Sequence, residues 1–133
     1  MTSVFWRNAW RYEERAYRHA FWDSGTILAN LLAVAADRGI EASVRSGFVD
    51  AAVNSLVGAD GEHEAAVAVV RLGGAVETSR PPALPRLSLR EIPASATSIE
   101  YPAISRMHEA SSLLNLGDVH RYQAPLKHDA TAP

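Results

Sequence analysis

Four arginines, Arg7, Arg11, Arg15 and Arg18, recur at spacings of four, four and three, which lines them along one helical face. Such a stripe suits contact with an anion or phosphate. A solvated face, with Glu14 pairing to Arg18 one turn on, is the plainer account. Trp6, Trp10, Tyr12, Tyr17, Phe21 and Trp22 crowd the same stretch. They suit packing in a core or interface, or stacking on a flat ligand. His19 and Asp23 also stand one turn apart and have no third metal ligand nearby, so a hydrogen-bonded structural pair is expected and no metal site. His63, His108, His120 and His128 are scattered, and His108-Glu109 lacks the second histidine of a zinc-protease motif. Ser46-Gly47-Phe48 is a different kind of candidate. A glycine between a strand and a helix lets backbone groups approach a ligand closely. Arg80 and Arg86 lie in a proline-stiffened stretch, where they serve as a phosphate clamp or as ordinary linker charges.

The elements that must position these residues follow from pattern. Residues 8–38 contain no proline and predict one long helix, stopped at Gly39 in the left-handed position beyond its end. Gly25, Ala29, Ala33 and Ala36 form a stripe of small residues flanked by Ile27, Leu28, Leu31, Leu32 and Val34. The second half of this helix is therefore expected to be buried on most sides. Residues 42–45 read as a short strand. Residues 50–57 read as a helix with Asp50 as N-cap, ended by Gly58. The apolar run 65–73 reads as one strand covered on both faces. Residues 75–100, with Pro81, Pro82, Pro85 and Pro93, read as an extended linker. A further helix starts at Pro102 and runs to about Asn115, and residues 117–133 read as a flexible tail.

Composition narrows the function classes. The chain has 133 residues, 47% of them hydrophobic, enough for one domain with a core. A net charge of −2 argues against nucleic-acid binding, which needs a basic surface. The absence of cysteine excludes disulfides, thiolate zinc sites and cysteine nucleophiles. No run suits a membrane span, and a cytoplasmic location is expected. Two strands make no sheet that covers both faces of 65–73, so the fold is expected to be completed by another chain, another copy or a preceding region.

Taken together, RYEERAYRHAFWDSGTILANLLAVAADRG, VRSGFVDAAVNSLVGADGEHEAAVAVVRLG and YPAISRMHEASSL make the chain resemble the C-terminal half of a flavin-dependent nitroreductase-fold protein. Its nearest likeness is to the SagB-type dehydrogenases, which include azoline oxidases. The resemblance implies a partial α+β fold in which a long central helix packs on a small sheet. Residues 1–74 would form the C-terminal portion of the flavin domain, 75–100 a phosphate-side arm, and 101–116 a helix. It implies FMN as cofactor, with Val44, Arg45, Ser46 and Gly47 along the isoalloxazine ring and Arg86 and Arg80 near the phosphate. Arg11-Tyr12 matches the family's lysine–tyrosine pair, with Tyr12 as the proton-transfer candidate. Arginine for lysine is a departure, because guanidinium stays protonated and is a poor base. The family's FMN-binding N-terminal segment has no counterpart in these blocks. The resemblance further implies a homodimer, or pairing with a complementary flavin-domain chain, and hydride transfer between flavin N5 and a peptide or small-molecule substrate. The alternative is a non-catalytic partner subunit or remnant that dimerises through the long helix. An anion-binding module using the arginine stripe is a weaker third.

Overall fold

The computed structural model describes residues 1–74, 87, 89–90, 92, 97 and 99–124. The strands are β1 (Thr2–Val4), β2 (Ala42–Arg45), β3 (Glu64–Ala66) and β4 (Val69–Leu72). The helices are α1 (Ala9–Tyr12), α2 (Ala16–Asp37), α3 (Asp50–Val57), α4 (Pro102–Ser111) and α5 (Leu116–Gln123). The architecture is α+β: a long helix beside two antiparallel two-stranded sheets. In one, β1 pairs with β3, setting Thr2 opposite Ala66; in the other, β2 pairs with β4, setting Ala42 opposite Leu72.

The expected single helix over 8–38 is broken. Phe5–Asn8 and Glu13–Arg15 are 3-10 turns, and Glu13 sits at φ 51°, ψ −136°. The break lets the chain fold back. Tyr12 and His19 would stand about 10 Å apart along a straight helix, yet their rings stack with centroids 4.1 Å apart. Phe5 likewise meets Tyr17 edge-on at 5.1 Å. The result is a core of Phe5, Ala9, Ala16, Tyr17, Ala20, Ala65 and Ile104, with Trp6, Tyr12, Val67 and Tyr101 packed on it.

The far end of α2 ends as expected. Gly39 takes φ 66°, and Ile40 N–H donates to the Ala35 carbonyl at 2.8 Å. Its expected burial is not found: Ile27 is 57% and Val34 61% exposed, and only Ala35 in this half is buried. The described elements that pack on α2 gather at its first half and its last turn, leaving residues 25–34 without a covering layer.

The apolar run 65–73 is two strands. The chain changes partner at Val67-Ala68, where Val67 N–H donates to the Met1 carbonyl at 3.0 Å. β3 is buried at Ala65 and Ala66, whereas Leu72 of β4 is 58% exposed. Coverage on both faces therefore holds for neither strand pair as a whole.

α3 has its expected bounds, but Val49 occupies the cap position and Asp50 lies in the first turn. The Asp50 carboxylate instead accepts from Leu113 N–H at 2.6 Å. α4 begins at Pro102 as expected and stops at Ser111. There the Ser111 and Ser112 hydroxyls both donate to the His108 carbonyl, competing with continued helix. Residues expected to fray form α5, opened by a capping box between Asn115 and Asp118. No helix among the described residues is long and apolar enough to cross a membrane.

Candidate functional site

β2 delivers its last two residues, Val44 and Arg45, to the surface, and the turn Ser46-Gly47-Phe48 carries the chain into α3. Ser46 and Phe48 line a cavity of about 270 Å³ together with Tyr17, Phe21, His108 and Tyr122. The site thus draws on β2, α2, α4 and α5.

Its floor is a closed polar network. His108 Nε2 lies 3.1 Å from the Gly61 carbonyl. A carbonyl only accepts, so Nε2 carries the hydrogen and Nδ1 is left as an acceptor. The Tyr17 hydroxyl lies 3.3 Å from that Nδ1 and 2.9 Å from Ser111 Oγ. Ser111 spends its own hydrogen on the His108 carbonyl at 3.0 Å. Tyr17 is thus the donor shared between histidine and serine, and the network fastens α4 to α2. Burial pushes the Tyr17 pKa up, helped by the Asp50 carboxylate. The phenol therefore stays protonated past its ordinary range.

The roof is α5. Tyr122 Oη lies 3.0 Å from Ser46 Oγ, and Gln123 Nε2 donates to the Gly47 carbonyl at 3.4 Å. A Cβ on Gly47 would come within 2.8 Å of Tyr122 Cδ1. The absent side chain is thus what lets a flat ring lie on the turn.

The expected site residues are only partly brought together. Val44, Arg45, Ser46 and Gly47 form one continuous edge, on which Arg45 is exposed and makes no ion pair among the described residues. Arg11 and Tyr12 lie apart from it, and neither lines the cavity at Ser46. The Arg11 guanidinium sits 5.7 Å over the Tyr12 ring, whose other partner is His19. Arg80 and Arg86 lie outside the described residues. Arg18 does not pair with Glu14; it lies 5.9 Å over Trp22. His19 stacks on Tyr12 and meets Trp22 edge-on rather than bonding Asp23. Among the described residues, no group of three or more ionisable ligands could hold a metal.

Two anchors escaped the sequence reading. Buried Asn54 accepts from Ala66 N–H at 2.7 Å, tying α3 to β3. Asp60 Oδ1 accepts from the N–H groups of Glu62, His63 and Glu64, and Oδ2 lies 3.0 Å from His63 Nδ1. Asp60-Gly61 was a legible turn signal for the second. Nothing local marks Asn54.

An FMN ring is compatible with this edge. It offers an open strand end, an exposed guanidinium and a glycine surface that already accepts a flat aromatic ring.

Residues 2–74 match the model of the nitroreductase family. The crystal structure of a protein assigned as a nitroreductase from Anabaena variabilis superposes with a TM-score of 0.61 at 29% sequence identity. The match covers 84% of this chain and 23% of that one, so the chain spans under a quarter of that relative. No curated protein matches. With more than half of its residues inside the family model, the chain belongs to the nitroreductase family, a family of flavin-dependent oxidoreductases.

Proposed function

We propose that this chain supplies part of an FMN-dependent oxidoreductase of the SagB type, acting on a peptide or small-molecule substrate. The observation that carries the reading is the exposed end of β2, Val44-Arg45, running into the glycine turn Ser46-Gly47 inside the segment that matches the family. FMN, when bound, supplies hydride exchange at N5. Val44 and the Ser46-Gly47 backbone hold the flat ring, and Arg45 supplies positive charge beside it. Arg80 and Arg86, which fall outside the described residues, are assigned to the phosphate end. Tyr12, which lies apart from that edge within one chain, keeps the role the resemblance gives it, proton donor through its phenol. Arg11, permanently charged, orients an anionic group and does not act as base. The uncovered half of α2 is the surface for a second copy or a complementary flavin-domain chain.

A fluorescence titration of FMN tests this reading. Binding to the protein is expected to quench the flavin, and Arg45→Glu is expected to weaken binding by about tenfold, the effect of losing one charge contact. Equal affinity in both proteins would remove the edge from the site.

Arginine at position 11, where the resemblance has lysine, favours a second reading: a non-catalytic partner that keeps the long helix for association. That reading expects association without flavin binding.

A further inference from the structure

Resting on the reading of Val44–Gly47 as the flavin edge, we propose that α5 is a strap over that edge: Tyr122 occupies the flat face of Gly47, and a planar ring system takes that face only when Tyr122 leaves.

The strap has a fixed hinge. Just before it, Leu113 is held to the first turn of α3 at both backbone groups. Its N–H donates to Asp50 Oδ2 at 2.6 Å, and its carbonyl accepts from Asp50 N–H at 3.1 Å. Beyond the hinge the helix is capped at its start. Asn115 and Asp118 cap each other's backbone, and Arg121 pairs with Asp118.

Its seating is much lighter than its hinge. α4 is anchored by Ile104, which is 1% exposed, and by the Tyr17–His108–Ser111 network. α5 buries Val119 alone. Among the described residues, the rest of its hold is the Tyr122–Ser46 hydroxyl contact, the long Gln123 bond to the Gly47 carbonyl, and the Tyr122 ring on Gly47. Tyr122 itself is 57% exposed. Water replaces exposed hydrogen bonds of this kind at little cost. A helix of eight residues released from a weak seat frays, so its release is read at its own amides.

Competition follows from space. The Tyr122 ring sits where even a methyl group on Gly47 would clash, at 2.8 Å from Cδ1. A tricyclic ring laid on the same glycine needs the same volume. Tyr122 is therefore an internal stand-in for the ligand ring, and the equilibrium of α5 sets how often the edge is open. Apparent affinity then falls by the fraction of time the strap is closed.

Hydrogen exchange on the whole chain, with and without FMN, tests this in the wild type, Tyr122→Ala and Tyr122→Phe. Residues 44–48 and 116–123 are expected to be protected together in the wild type and to lose protection together in Tyr122→Ala. Added FMN is expected to protect 44–48 while exposing 116–123. Tyr122→Ala is expected to bind FMN about fivefold more tightly, with Tyr122→Phe in between. Protection of 44–48 by FMN without change at 116–123, or equal affinity in all three proteins, would overturn the strap and leave the flavin edge standing. No FMN binding in any of the three would overturn the flavin edge, and the gate with it.

Discussion

The two ends of α2 live in different surroundings. Its first turns face Phe5, Ala9, Ala65 and Ile104, a core closed by rings meeting edge-on and by the Tyr17–His108–Ser111 bonds. Its later turns are mostly exposed among the described residues, with Ala35 alone buried. Leu31, Val34 and Ala35 border an open apolar groove with Ile40 of the following turn and Leu72 of β4. In sequence the far end is the more apolar of the two, since Arg18, His19 and Asp23 all fall in the first turns. The difference shows that apolarity states a demand for cover without saying which chain meets it. The closed end is satisfied within one chain, and the open end is the surface assigned above to a second copy or complementary chain.

The sharpest way to break this contrast is to remove packing at each end. Ile104→Ala should cost about 2–5 kcal/mol in urea unfolding, since Ile104 is 1% exposed and its cavity cannot collapse freely. Val34→Ala, at 61% exposure, should change single-chain stability by less than about 0.5 kcal/mol. Similar costs at both positions would erase the distinction.

A smaller effect is expected where the closed end is held by polar contact. Asn54→Ala should cost about 1–3 kcal/mol in the same measurement, because Ala66 N–H loses its acceptor in a buried setting. A loss well under that range would mean that water reaches β3.

The smallest effect belongs to the exposed loop 60–64. Burial tends to raise the Asp60 pKa, but the backbone N–H bonds and His63 outweigh it and lower it overall. His63 is raised, first by its hydrogen bond to Asp60 and then by the charges of Asp60, Glu100 and Glu62. The depressed carboxylate adds stability above the ordinary Asp value of about 3.9, and this is lost as pH falls through its lower folded value. The raised histidine adds stability below about 6.5, and this is lost as pH rises through its higher folded value. Stability from the pair should therefore be greatest between about pH 4 and 6.5. His63→Gln should remove the decline on the alkaline side, read from unfolding midpoints across pH. A decline that survives the substitution would assign it to another group.

Local signals in the sequence carried their elements well. The small residues and Val44 of β2, the Gly58 stop of α3, Gly39 and Pro102 each act within a few residues and behave accordingly, whereas Asp50 gave α3 its start without serving as its cap. The capping box at Asn115–Asp118 was equally local and legible, so α5 was readable where a tail was expected. What escaped depended on distant partners. The run 65–73 looks the same whether it meets one strand or two, and only β1 and β2 decide where it divides. The break at Glu13 has no glycine or proline to announce it, since it exists so that Phe5 can reach Tyr17. The turn Ser46-Gly47-Phe48 stood out by its glycine, while Val44–Gly47 as a ring edge came only with the family resemblance. The floor beneath it joins Tyr17 to His108 across 91 positions, and no spacing rule links them. The roof required knowing that Tyr122 returns to Gly47.

The most direct measurement is sedimentation of the protein with added FMN, followed at once in the protein band and in the visible flavin band. Flavin absorbance moving with protein at a mass above the 14.4 kDa of one chain is the expected result, with Ile27→Glu/Val34→Glu returning the protein to single-chain mass. A colourless boundary at 14.4 kDa, with all flavin left behind, would contradict both the flavin edge and the open face of α2 as an association surface.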